Sequence, residues 1–115
     1  MLHIAICDDQ PDQIRSIRQS SERYFQEKQD TVSYETFDNA FSFVDTINQG
    51  AIFDIVLLDV CMPGILGTEV AQELRKFSSS TEIIFLTTSD EFAMDAFAVK
   101  ATDYLLKPFT QSQFN

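Results

Sequence analysis

Cysteine and histidine are almost missing from this chain of 115 residues: Cys7, Cys61 and His3 are all it has. No Cys/His spacing suited to a metal exists, which leaves thiolate and imidazole zinc chemistry out. Both cysteines stand in apolar, strand-like context. They read as two small buried side chains in a reducing compartment, not as a disulfide or thiol switch. His3 reads as a surface or strand-edge residue. Positive charge is thin as well, with 8 basic residues against 18 acidic ones and a net charge of -10. A surface of that sign does not suit a nucleic-acid backbone, so any DNA-directed role must reside outside this segment. Long hydrophobic runs are absent, and none approaches the roughly 20 apolar residues that span a bilayer. Asp8, Asp9 and Asp12 interrupt residues 1–20, which excludes a signal-peptide pattern there. A cytoplasmic location with no membrane partner is expected. No internal repeat or low-complexity tract is found.

What the chain does have is apolar runs that stop abruptly. Hydrophobic residues make up 44% of it, which favours one globular domain with a sizeable core. The organising stretch is Phe53 to Gly64. Ile55 to Leu58 is too short for a helix and continuously apolar, so it reads as a strand buried on both faces. Asp59 follows it directly, before a loop that Pro63 and Gly64 turn. Leu2 to Cys7 is a second such run and ends in Asp8-Asp9. Gln10-Pro11 then opens a helix with Ile14, Ile17, Tyr24 and Phe25 on one stripe, ending near Lys28 to Asp30. Thr31 to Phe37 alternates as a half-exposed strand does. Asp38 is the expected cap of a helix carrying Ala40, Phe43, Val44 and Ile47 and stopped by Gly50. Thr68 to Phe77 reads as a helix with Val70, Ala71 and Leu74 inward, and Ser78 to Ser80 as a linker. Glu82 to Leu86 is a strand ending in Thr87-Thr88-Ser89. Asp90 to Val99 reads as a small helix, and Thr102 to Leu106 as a strand ending in Lys107-Pro108-Phe109. Helices alternating with apolar strands predict an α/β fold with a doubly wound, five-stranded parallel sheet.

Such a sheet gathers the ends of its strands at one edge, where ligand chemistry belongs in open α/β folds. Asp8, Asp9, Asp59, Thr87 and Lys107 all stand at strand ends. Singly, each has an ordinary explanation: a turn aspartate, a helix cap, a surface lysine. Together they describe more. Three crowded carboxylates repel one another unless a cation compensates them, and a hard, oxygen-liganded ion such as Mg²⁺ suits them. Lys107 adds a point charge and Thr87 a hydroxyl, both suited to a phosphoryl oxygen. The set points to phosphoryl transfer onto a nucleophilic aspartate, Asp59.

The Asp8-Asp9 pair, the Asp59-Val60-Cys61-Met62-Pro63-Gly64 loop, Thr87 and Lys107-Pro108-Phe109 resemble the receiver domains of bacterial two-component response regulators. The likeness runs from about residue 2 to residue 109. The stretches Phe85 to Ala93 and Asp103 to Phe109 look most like receivers of LytTR-type regulators. The resemblance implies a flavodoxin-like sheet of strand order 2-1-3-4-5. It implies Asp59 as phosphoacceptor from a sensor histidine kinase, with no substrate turned over. Asp9, Asp59 and the backbone carbonyl of Cys61 would ligate Mg²⁺, with Asp8 acting through water. Lys107 would hold the phosphoryl group and precede a cis bond to Pro108. Thr87 and Tyr104 would form the switch, Thr87 moving toward the phosphoryl group and Tyr104 swinging inward. On this view Thr87 gains a partner only after phosphorylation.

Three further expectations concern surfaces and ends. The helix at 90–99 carries more apolar residues than one buried stripe requires, so with the strand at 102–106 it is a candidate homodimer or partner surface. Thr88 stands where the family usually has a smaller residue, at the entrance to the phosphoryl site, and the Cys61 side chain is expected to face the same entrance. The chain stops at Asn115, where a receiver begins its last helix. Residues 1–115 are thus expected to be a receiver with that helix truncated and a DNA-binding output domain absent. Two other readings compete. A phosphatase of the haloacid dehalogenase type would need an Asp where Cys61 stands, and a flavin-binding module would leave Asp8, Asp9 and Lys107 without a role.

Overall fold

All five expected strands form, and each pairs in parallel with its neighbours. The computed structural model describes residues 1–88 and 91–107. In chain order these form β1 (Leu2–Cys7), α1 (Pro11–Glu27), β2 (Val32–Phe37), α2 (Ala40–Asn48), β3 (Ile55–Leu58), α3 (Gly67–Phe77), β4 (Glu82–Thr87), α4 (Ala93–Ala98) and β5 (Asp103–Leu106). The sheet order is β2-β1-β3-β4-β5, as the resemblance implied. Helical crossovers make that order possible, because parallel neighbours cannot be joined by a tight turn.

Alternation along the strands divides the core into two layers. Ala5, Cys7, Val56, Leu58, Ile83 and Phe85 face α2 and α3, where Phe43, Ile47, Val70 and Leu74 are buried. Ile4, Ile6, Leu57 and Leu86 face the opposite way onto Ile17 and Phe25 of α1. Phe43 and Phe85 are both fully buried, and burial of such a ring is worth about 1.5–3 kcal/mol. Helical stripes read from the sequence therefore fall where packing needs them. One buried member was not legible. Ser21 of α1 is fully buried and shares a 2.7 Å hydrogen bond with the Tyr34 hydroxyl, while the Arg18 guanidinium sits 5.0 Å from that ring's centroid.

Several boundaries differ from expectation. Asn39, not Asp38, caps α2: its side-chain oxygen accepts the Ser42 N–H at 2.8 Å. The helix starts at Ala40, one residue too late for Asp38 to reach that donor, and Asp38 instead accepts from the Asn39 amide. The α4 helix is shorter than the expected 90–99, with Phe92 and Val99 as its caps. Cys61 is exposed, unlike the buried Cys7, because β3 ends at Leu58 and leaves Cys61 in the loop beyond. Ser89, Asp90, Pro108, Phe109 and Thr110 lie outside the described residues, as does the expected truncated last helix with the Lys107–Pro108 cis bond.

Two glycines are required for different reasons. Gly50 ends the α2 turn at φ +97, with open space where a side chain would be. Gly67, the first residue of α3, donates its N–H to the Val60 carbonyl at 2.7 Å. A Cβ on Gly67 would lie 2.1 Å from the Asp59 carbonyl oxygen and 2.8 Å from Val60 Cα. These are backbone atoms that cannot swing aside. Gly50→Ala is expected to cost about 1 kcal/mol, from the left-handed backbone alone. Gly67→Ala is expected to cost more, roughly 2–4 kcal/mol, because the α3 start must shift off β3. Urea midpoints of the two variants check the order; equal losses would contradict it.

Candidate functional site

The acidic cleft is built by continuing the strand ladders one residue past their ends. Asp8 N–H donates to the Phe37 carbonyl, Asp59 N–H to the Cys7 carbonyl and Lys107 N–H to the Thr87 carbonyl, at 3.0, 3.0 and 2.7 Å. These bonds fix three site residues at the carboxyl edge of the sheet. Asp8 is fully buried, Asp59 is 8% exposed and Thr87 is fully buried. Oxygen atoms of Asp8, Asp9 and Asp59 all lie within 4.8 Å of one another.

Lys107 is the cation among them. Its ammonium lies 2.5 Å from Asp8 Oδ2 and 3.7 Å from Asp59 Oδ2, with only 8% of the side chain exposed. Asp8 is thereby committed on both oxygens, since Oδ1 accepts the Gln10 N–H at 3.0 Å. Asp59 Oδ1 accepts the Cys61 N–H at 3.2 Å. The Asp59 carboxyl is nevertheless raised above its ordinary pKa. Burial is the largest cause, and the nearby Asp8 charge adds to it. Lys107, the Cys61 N–H and the Thr87 hydroxyl pull in the opposite direction without overcoming burial. Thr87 already has a partner in the unphosphorylated chain, which corrects the expectation that it gains one only after phosphorylation: a fully enclosed hydroxyl needs a partner in every state.

Around this group the cleft is lined by Gln10, Gln13, Cys61 and Thr88. Cys61 and Thr88 both line it and are exposed. Tyr104 is half-buried, its ring 5.9 Å from that of Phe85. Cys7, just below Asp8, has no thiolate chemistry to offer. Burial first, and then the charges of Asp8, Asp59, Asp38 and Asp9, push its thiol up to about 12.

The donor set suits a small hard cation. Three carboxylates face a single ammonium, so two negative charges remain uncompensated in a largely buried cluster. The three carboxylates offer oxygen, as Mg²⁺ requires. Asp8, Asp9 and Asp59 are the carboxylates that could hold it, and Asp8 and Asp59 also face the Lys107 ammonium.

Comparison with known proteins shows the family. The family model described as "Response regulator receiver domain" matches residues 4–115. The chain is 35% identical to the sensory transduction protein LytT of Oceanobacillus iheyensis, over 98% of this chain and 45% of that protein. It is 42% identical to the transcriptional regulatory protein LytR of Staphylococcus aureus, over 58% of this chain and 26% of that one. It therefore spans less than half the length of these relatives. Among solved structures, the BeF3-activated receiver domain of DrrB from Thermotoga maritima superposes with a TM-score of 0.77 at 28% identity, covering 99% of this chain and 91% of that one. The response regulator TrrA of Thermotoga maritima, solved in complex with Mg²⁺–BeF, gives 0.75 at 31% identity over 99% and 93%. By this match of residues 4–115, the chain belongs to the receiver domains of two-component response regulators.

Proposed function

We propose that Asp59 is the phosphoacceptor of this receiver, charged by a sensor histidine kinase. The observation that carries the proposal is the cluster itself: a nearly enclosed Asp59 within reach of two further carboxylates, a buried ammonium and a buried hydroxyl. An Asp59 carboxylate oxygen forms the new bond to phosphorus as the donor's bond to phosphorus breaks, and the donor leaves with that electron pair. Lys107 offers its ammonium to an oxygen of the transferred group while Asp8 holds it in place. Asp9, Asp59 and the Cys61 carbonyl would hold Mg²⁺, with Asp8 beside them, and the ion would compensate the crowded negative charge.

Phosphorylation replaces the Asp59 carboxylate by a more highly charged group with more acceptor oxygens. Thr87 is enclosed beside Asp59 before the reaction, so its contribution to switching is a charge-assisted bond to an oxygen of the more highly charged group. Tyr104, on the strand that continues into Lys107, follows that movement. The surface it affects is the α4–β5 face, where Met94 and Phe97 are 80% and 82% exposed and Leu106 is 45% exposed. We assign this face to phosphorylation-dependent self-association. The likeness to LytT and LytR supports an output domain that acts on DNA, beyond the receiver, with this domain working as a switch and not as an enzyme on a substrate.

Incubation with acetyl phosphate and Mg²⁺ is expected to add one phosphoryl group by intact mass, and Asp59→Asn is expected to remain unmodified. A gain that persists in Asp59→Asn, or that ignores Mg²⁺, would refute the assignment. Thr88→Ala is expected to shorten the phospho-Asp59 lifetime several-fold by admitting water at the cleft entrance; an unchanged lifetime would reject the steric role. The pH dependence has a definite sign. Burial raises the folded Asp59 pKa, so the folded state binds this proton more readily, and the stability it contributes falls as pH rises through that window. Without divalent cations, Asp59→Asn is therefore expected to unfold at higher urea than the natural chain near about pH 7. The gap should close as pH falls toward the ordinary carboxyl range of about 4. A gap that widens on acidification would contradict this.

A further inference from the structure

Arg75 lies in the last turn of α3, far along the helix from Gly67, and takes no part in the cleft. Its guanidinium donates to four backbone carbonyls: Nε to Val99 at 2.8 Å, Nη1 to Thr81 at 2.8 Å and Ser78 at 3.2 Å, and Nη2 to Lys100 at 3.2 Å. Two of these oxygens belong to the α3–β4 connection and two to the C-terminal end of α4. A planar fork with five donors can serve both at once, which a lysine cannot do.

The end of α4 needs such a partner. At six residues the helix is far below the length that stands alone. Only Ala96 and Val99 anchor it as buried side chains, with Phe92 half-buried, while Met94 and Phe97 point outward. Lys100 closes the helix in the left-handed region, at φ +59, where glycine is the natural residue. The Ala101 N–H returns to the Ala96 carbonyl and the Lys100 N–H to the Phe97 carbonyl. Within this closure the Val99 and Lys100 carbonyls lie at the negative end of the helix, where a cation is favoured. Arg75 supplies it from a different element.

We infer that Arg75 is a positioning residue which pins the C-terminal end of α4 to α3 and so holds the face carrying Met94 and Phe97 in place for association. The inference rests on the self-association reading above for its functional consequence, but not for the pin itself. A pinned face spares a partner the cost of ordering it, so loosening the pin weakens association without touching the chemistry at Asp59. Asp59 and Arg75 serve opposite edges of the sheet: one follows the C-terminal end of β3, and the other holds residues that precede β4 and β5.

Amide hydrogen exchange on the unphosphorylated chain tests the pin. Arg75→Met is expected to speed exchange at Val99, Lys100 and Ala101 at least tenfold, the scale of losing hydrogen bonds to a charged group, while β1 and β3 amides keep their protection. Arg75→Lys, which keeps the charge and loses the fork, should fall near Arg75→Met. Uniform acceleration through the core would make Arg75 a general stabiliser and overturn the inference. Unchanged exchange at 99–101, or a wild-type pattern in Arg75→Lys, would overturn it too. In the second arm, acetyl phosphate with Mg²⁺ should modify Arg75→Met at the natural rate, with its phosphorylation-dependent association shifted to about tenfold higher protein concentration. Natural association by Arg75→Met would remove the positioning role. If the natural chain takes no phosphoryl group or does not associate, the proposed function fails, and the exchange arm alone decides the pin.

Discussion

The contact on which the rest depends is the buried ion pair of Lys107 and Asp8. It joins the residue after the last described strand to the residue after the first, across 99 positions of sequence. Two buried charges gain little over an apolar pair, yet removing one partner typically costs about 3–5 kcal/mol, because the other is left without compensation. The sheet therefore cannot discard either residue cheaply. Asp59 sits 3.7 Å from the same ammonium and competes with Asp8 for it, which leaves it ionisable but strained by burial. That unfavourable state is useful: a cation that relieves it is bound with the energy of the relief.

Stability and chemistry are coupled again at the β3–α3 junction. The α3 helix begins at Gly67, close enough to the Asp59 carbonyl that no side chain fits between them. The loop carrying Cys61 to Leu66 is thus pinched at its base, and the Cys61 N–H that reaches Asp59 Oδ1 comes from that loop. At the loop's crest Gly64 adopts φ +89, with the Phe41 ring 2.8 Å from where its Cβ would be. Helix α2, through Phe41, thereby limits the loop from outside while Gly67 limits it from beneath.

The fold was legible because β1, β3 and β4 carry apolar runs, β2 alternates, and each of these strands stops at a polar residue. Leu2 to Cys7 before Asp8, and Ile55 to Leu58 before Asp59, are strands by composition and site positions by termination. What the sequence concealed depends on neighbours it does not record. Ser21 occupies a stripe of Ile17 and Phe25 yet is buried, because Tyr34 on another element supplies its partner. Asn39 takes the cap from Asp38 through a one-residue difference in helix start, which propensity does not resolve. Cys61 looks apolar in context and is exposed, since the strand ends three residues earlier. Thr87 was recognised as a site hydroxyl, but that it already has a partner before any reaction follows only from its complete burial.

Arg75 belongs to the same class of hidden residue. On a helical projection it is an unremarkable cation in the last turn, where dipole considerations alone would place it. Its bonds reach carbonyls 24 and 25 positions away, on a helix that buries little of its own surface. A helix meant to pack firmly would bury Met94 and Phe97; α4 exposes both and is held by polar bonds at its end instead. Hydrogen bonds fix position and direction without consuming apolar surface. That is the arrangement a domain needs if it is to keep a hydrophobic face available for another molecule and still hold that face still.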